Sequence, residues 1–308
     1  MLSDTALLDA EADDNGRVWR FSWEPTGCDR LLEPQFPPWA GGLPTGYDAH
    51  VPNETALNGT VALVTGGTKG IGRSIAGRLA DQGATVVICA RNPPAEPVTG
   101  TTDGAGPITF MPLDLKETDS LGDALATIVA EHGSLDLLVN NAGGAPPTDG
   151  ATTPPKLHEA IVRLNLLAPL HLSQAANQVM QEQEAGGHII NIGSVTGMRA
   201  APGSAAYGAA KAGLISLTKS LAVEWGPKVR VNSVVAGAVV TEDALPFYGG
   251  AEGVAAIAAD VPLERLAQPS DVANAVVLLA SPLAFYANGT NLVLDGGGES
   301  PAFTAKQK

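Results

Sequence analysis

From residue 58 onward the sequence predicts an α/β fold, a doubly wound parallel seven-stranded sheet with helices on both faces, and three observations carry that expectation. Short β-rich apolar runs alternate with helix-length segments, the signature of successive strand–helix–strand units. The runs are apolar enough for strands covered by helices on both sides. A glycine-rich turn joins the first run to the first helix, where Rossmann-type sheets take up a nucleotide.

The elements follow in order. TVALVTGG (60–67) is a strand, RSIAGRLADQG (73–83) an amphipathic helix closed by a glycine, and TVVICA (85–90) a second strand. A Pro/Gly/Thr-rich loop (92–107) leads to the strand ITFMPLDL (108–115), the helix around 117–133 and the strand LDLLVNNAG (135–143). A long helical region is expected over 154–184, interrupted by Pro169, because proline lacks the N–H that a helix interior needs. Strand HIINIG, helix SAAYGAAKAGLISLTKSLAVEWG, strand VRVNSVVAG, a variable loop, helix SDVANAVVLLAS and strand TNLVLDGGG complete the chain. No internal repeat is evident.

Composition narrows the function. The 308 residues carry a formal net charge of −14, which argues against non-specific binding to nucleic acid or to an anionic membrane. Two cysteines, Cys28 and Cys89, make no disulfide framework, and Cys89 sits in an apolar run as a core residue. The acidic N-terminus lacks the pattern of a signal peptide and no apolar run reaches membrane-spanning length, so a cytoplasmic location is expected. Residues 1–57 are different in character, rich in proline and holding Trp19, Trp23 and Trp39. They read as an extended arm whose aromatics pack on the main domain (58–308) or on a neighbouring subunit, or else as a disordered leader.

Thr65, Gly66, Thr68, Lys69, Gly70, Ile71 and Gly72 lie in the turn between the first strand and first helix. Glycines there let backbone N–H groups approach a pyrophosphate, and the helix N-terminus adds about half a positive charge. Cofactor choice falls to the end of the second strand, where an acidic residue would bind a ribose 2′-hydroxyl. The sequence there is Ile88-Cys89-Ala90-Arg91-Asn92, without a carboxylate. Arg91 offers a bidentate cation to a 2′-phosphate and Lys69 a second one, so NADP(H) is favoured and NAD(H) remains possible.

The stretch from His188 to Lys211 carries the chemistry. Tyr207 and Lys211 stand one helical turn apart and project from the same face. An ammonium beside a phenol is expected to favour the phenolate and lower the tyrosine pKa. Ser194 ends the preceding strand, where its hydroxyl can reach the same cleft. A serine and a tyrosine converging on one carbonyl oxygen would polarise and then protonate it, as ketone reduction requires.

On these residues, with Asp114, Asn140-Asn141-Ala142-Gly143, Asn165 and Thr241 in order, the chain from 58 to 298 resembles the short-chain dehydrogenase/reductase family in its short single-domain branch. The resemblance implies that Gly66, Gly70 and Gly72 form the pyrophosphate site, that Asp114 binds the adenine edge and that Asn141, Ala142 and Gly143 border the cofactor. It implies a catalytic tetrad of Asn165, Ser194, Tyr207 and Lys211, with Lys211 also on the nicotinamide ribose, Asn165 holding a relay water and Thr241 gripping the nicotinamide carboxamide. Two departures stand out: Ala236-Gly237 replaces the family's common Pro-Gly, and the arm has no counterpart.

The expected activity is interconversion of a ketone and a secondary alcohol, with the direction open. A 3-oxoacyl thioester and a cyclic or polyketide-type ketone are both open as substrate. The irregular segments 144–153, 195–203 and 242–260 should recognise it, the last resembling a mobile lid with Phe247 and Tyr248. The alternative is a silent NADP(H)-binding sensor, against which the complete catalytic set argues. The resemblance also implies a homo-oligomer, a tetramer or else a dimer. No metal site is expected.

Overall fold

A computed structural model describes residues 57–298, so the expected N-terminal arm lies outside the described residues apart from Leu57. Seven strands form one sheet: β1 (Val61–Thr65), β2 (Thr85–Ala90), β3 (Ile108–Pro112), β4 (Leu137–Asn140), β5 (Gly187–Ser194), β6 (Val229–Ala236) and β7 (Asn291–Leu294). Their order is β3-β2-β1-β4-β5-β6-β7 and every pairing is parallel. The order reverses between β1 and β4, so the connections leaving these two strands diverge and open a crevice at their C-terminal ends.

The helices are α1 (Gly70–Asp81), α2 (Leu121–His132), α3 (Pro155–Val162), α4 (Ala168–Glu182), α5 (Ala205–Trp225), the short α6 (Ala244–Phe247), α7 (Gly250–Asp260) and α8 (Pro269–Ala280). Alternation along β1 assigns them to layers. Ala62 and Val64 pack with Ile75 and Leu79 of α1 and with Val272 and Val276 of α8. Val61 and Leu63 face the other way, onto Leu125 and Ile128 of α2, Leu172 and Met180 of α4 and Leu221 of α5. Each such aliphatic side chain contributes about 1.5–3 kcal/mol on burial, so the two apolar layers dominate the stability of the sheet. Cys89 is one of these core residues, 1% exposed, and burial pushes its thiol up to about 12.

Two elements differ from expectation. β3 ends at Pro112 because its partner β2 ends at Ala90, the residue opposite, and Leu113 and Leu115 turn into the core instead of extending the strand. The helical region 154–184 is two helices joined by a π turn over Arg163–Leu167. Pro169 cannot donate to the carbonyl of Asn165 one turn earlier, so the break falls on Asn165 rather than at the proline, which occupies the first turn of α4.

A buried polar chain fixes α4 and α5 to the sheet. Asn140 Nδ2 donates to Ser173 Oγ and to Asn191 Oδ1, both at 2.9 Å, and Asn191 Nδ2 donates to Thr218 Oγ1 at 3.0 Å. Leaving such groups unpaired in the interior would cost about 1–3 kcal/mol each, so the register of these helices on β4 and β5 is strongly specified. Among the described residues no helix is long and apolar enough to cross a membrane, and no group of side chains could hold a metal ion.

Candidate active site

The crevice is built from the ends of β1 and β4. Thr65 is buried, and its Oγ1 accepts from the N–H groups of Asn141 and Ala142, both at 2.9 Å, while donating to Val139 O at 3.3 Å. Asn141 Nδ2 donates back to the carbonyls of Thr65 (2.8 Å) and Gly66 (3.3 Å). The Thr65 side chain therefore ties the seam between β1 and β4 together. Asn141 thus ties β4 to the end of β1 at the head of the crevice.

The turn that follows needs its glycines. Gly66 has φ +65°, and a Cβ on Gly72 would collide with the Gly66 carbonyl and with Asn141 Nδ2. Lys69 is the N-cap of α1 but gives no side-chain cap, and the first turn of the helix holds no acidic residue. Its opening N–H groups and the positive end of its dipole thus face the crevice with no acidic residue in the helix's own first turn, a cradle that fits a dinucleotide pyrophosphate. Ile71 and Thr68 are half-buried beside this turn, and Arg91 is exposed at the end of β2, which Gly66 N–H joins through Cys89 O at 2.8 Å. Asp114, half-buried just past β3, accepts from Lys116 N–H at 3.1 Å. Lys69 departs from expectation: its ammonium is ion-paired with Asp243 in the segment before α6.

The other wall comes from β5 and α5. Ser194 ends β5, and its Oγ accepts from Thr196 Oγ1 at 2.9 Å and from Thr196 N–H at 3.3 Å. The Ser194 hydroxyl stands near enough to the Tyr207 phenol to draw its pKa down. Small residues allow this approach, since a Cβ on Gly208 would lie 2.9 Å from Thr196 O. One turn along α5, Lys211 is 4% exposed and donates from Nζ to Ile192 O at 2.8 Å, with Nζ 5.7 Å from the centroid of the Tyr207 ring.

Asn165 and Lys211 converge below Gly143. A Cβ at Gly143 would stand 2.7 Å from Asn165 Oδ1 and 3.3 Å from Lys211 Nζ. The Asn165 amide is hydrogen-bonded to backbone: Nδ2 donates to Gly144 O and Ile161 O, both at 2.9 Å, and Oδ1 accepts from Gly144 N–H at 2.8 Å. Its side chain fixes the loop after β4 against the π turn, and Oδ1 keeps a second lone pair beyond the one that Gly144 N–H uses.

The electrostatics reverse one expectation. Burial pushes the Tyr207 phenol above its ordinary value; the Ser194 hydrogen bond opposes this, and the nearby Tyr248 phenol adds to it. Burial also brings Lys211 down to about 8. The shift of the phenol is thus upward rather than toward the phenolate, with desolvation as its largest cause. Tyr207 is held as a proton donor at neutral pH.

The segment after β6 adds contacts of its own. Thr241 Oγ1 accepts from Ala244 N–H at 3.2 Å at the start of α6. Tyr248 is hydrogen-bonded to the Val239 backbone and meets Phe247 edge to face, with centroids 5.6 Å apart. Thr196, behind Ser194, carried no distinguishing motif, and the pairing of Asp243 with Lys69 joins positions too distant in the chain for any local pattern to reveal.

A crevice at a strand-order reversal, with an uncapped helix N-terminus on one wall and a hydroxyl–phenol–ammonium cluster on the other, defines a dinucleotide-dependent oxidoreductase of the α/β class. The chain belongs to the short-chain dehydrogenase/reductase family, whose members act on CH–OH and C=O groups with NAD(P)(H), and a family model described as enoyl-(acyl carrier protein) reductase matches residues 66–299. It is 38% identical over 245 residues to a 3-oxoacyl-[acyl-carrier-protein] reductase of Haemophilus influenzae, covering 78% of this chain and 98% of the relative. It is 35% identical over 251 residues to a 3alpha-hydroxysteroid dehydrogenase of Mediterraneibacter gnavus, covering 79% and 98%. Among solved structures, the ligand-free aldohexose dehydrogenase of Thermoplasma acidophilum superposes with a TM-score of 0.73 at 29% identity, covering 79% of this chain and 95% of that one.

Proposed function

We propose that the protein is an NADP(H)-dependent ketoreductase that reduces a ketone to a secondary alcohol, with a 3-oxoacyl thioester as the favoured substrate class and a cyclic or polyketide-type ketone as the second. The observation that carries this reading is the convergence of Ser194, Tyr207 and Lys211 on one face, with Lys211 Nζ 5.7 Å from the centroid of the Tyr207 ring and the phenol protonated at neutral pH. A protonated phenol is the acid that reduction needs. The thioester preference draws on the 3-oxoacyl-[acyl-carrier-protein] reductases among the relatives.

Gly66, Gly70 and Gly72 with the first turn of α1 would hold the pyrophosphate, Asp114 the adenine edge and Thr241 with Lys211 the nicotinamide end. The absence of a carboxylate at the end of β2 and the exposed guanidinium of Arg91 favour the 2′-phosphorylated form. When bound, the reduced nicotinamide supplies a hydride. As negative charge grows on the carbonyl oxygen, Ser194 donates a hydrogen bond and Tyr207 gives up its proton. Lys211 then stabilises the phenolate, and Asn165 keeps the Gly143–Gly144 loop in place above it.

The apolar residues exposed at the end of α8 and just beyond it, Leu278, Leu283, Phe285 and Tyr286, suit packing against a second copy of the chain. A tetramer is the first expectation and a dimer the second.

The test is NADPH consumption against a panel of ketones and 3-oxoacyl thioesters, with Tyr207→Phe as the blank. The substitution should lower kcat at least ~10²-fold while NADPH still binds. Turnover near the wild-type rate in Tyr207→Phe would remove the proton-donor assignment.

A further inference from the structure

The segment between β6 and α6 is fastened to the glycine turn. A Cβ on Gly70 would lie 3.5 Å from Thr241 Cγ2, so the threonine methyl rests against the turn. The Ala244 and Leu245 N–H groups bond to Thr241 O at 3.1 and 3.0 Å, which sets the start of α6 relative to that contact. Two residues beyond Thr241, the Asp243 carboxylate takes the Lys69 ammonium. Lys69 is thus held by a protein anion at the mouth of a site built for an anionic ligand.

We propose that Asp243 is a specificity-determining residue for the cofactor: by pairing with Lys69 it withholds one of the two cations at the phosphate-binding edge and so limits the preference for the 2′-phosphorylated dinucleotide. The inference rests on the NADP(H) reading. It follows from charge and exposure. Arg91 at the end of β2 is one cation of that edge, and Lys69, in the turn that Gly66 ties to β2, is the other. A phosphate that draws on Lys69 must compete with the carboxylate and then tolerate it as an unpaired neighbouring anion. Lys69 and Asp243 are 67% and 69% exposed, so solvent screens the pair and exchange is cheap. Such a pair shifts an equilibrium by about two- to fivefold, enough to tune a selectivity ratio without deciding whether cofactor binds.

Asp243→Asn removes the charge at an exposed position and keeps the side-chain shape. The neighbouring exposed carboxylate Glu242 supplies the control Glu242→Gln, which removes the same charge without touching the pair. Binding of NADPH and of NADH to the full chain, titrated separately by nucleotide fluorescence, gives dissociation constants that need no turnover. Asp243→Asn should tighten NADPH about two- to fivefold and leave NADH unchanged, and the gain should vanish in a Lys69→Met background and at high salt. Glu242→Gln should do nothing. Equal gains for both nucleotides, no gain, weaker binding, or the same gain in Glu242→Gln would each overturn the assignment. If the unmodified chain prefers NADPH and Asp243→Asn leaves the ratio where it was, this inference falls and the cofactor reading stands. If the unmodified chain binds NADH in preference, both fall.

Discussion

At Lys211 a single burial effect sets both what the site can do and the pH range in which it does it. Its ammonium is brought down to about 8, whereas the Tyr207 phenol moves up from its ordinary value. The two shifts act in different windows. Below about pH 7 Lys211 is charged and ready to stabilise a phenolate; as pH rises through about 8 it loses its proton, and the transition state loses that support. Tyr207 is still protonated in this window, so the alkaline limb belongs to the lysine. We therefore expect kcat/KM for ketone reduction to hold steady up to about pH 7 and to fall through about pH 8, read from a pH profile at saturating NADPH. A profile flat to about pH 9.5 would show that Lys211 retains its proton in the working enzyme. The one-turn spacing of Tyr207 and Lys211 was readable in the sequence because a helix fixes which side chains share a face. The direction of their pKa shifts was not, because desolvation depends on what packs over them, and that includes Tyr248 from a distant segment.

Among the elements, the π turn and the loop after β4 act as one unit. The turn exists because Pro169 withholds a donor from Asn165, and the freed geometry points the Asn165 amide at both backbone groups of Gly144. Gly143 lies above the meeting point of Asn165 Oδ1 and Lys211 Nζ with no room for a methyl group. Gly143→Ala should therefore displace one or both side chains and lower kcat by at least about tenfold, a ~1 Å misplacement being able to cost ~10² in rate. Circular dichroism should show the fold retained, since Gly143 is exposed and outside the apolar layers. Wild-type turnover in this variant would separate the loop from the chemistry. Proline marked the interruption in the sequence, but proline alone does not say whether a helix stops, kinks or takes up an extra residue. The choice was made by Asn165, whose three hydrogen bonds to backbone groups of the loop and of α3 are tertiary and helical together. The same limit applied to Lys69, whose place in the turn was legible and whose partner Asp243 was not.

For the molecule as a whole, the seven-stranded sheet, its doubly wound cover and the crevice between β1 and β4 follow from the alternation of apolar runs and helical segments. What the alternation leaves undetermined is the length of each strand, set by its partner, as β3 stops where β2 stops. The covering of both faces also decides what reagents can reach. Cys89 lies in β2 between the two layers with its thiol pushed up to about 12, and the chain's other cysteine is Cys28. Replacing Cys28 by serine leaves a single sulfhydryl, buried in the sheet. Its consumption by a thiol reagent becomes a clock for disassembly of the whole sheet, running at the pace of global opening. Modification should be negligible in buffer and should accelerate in step with the loss of circular dichroism as urea is added; rapid modification of the native chain would mean that β2 detaches by itself.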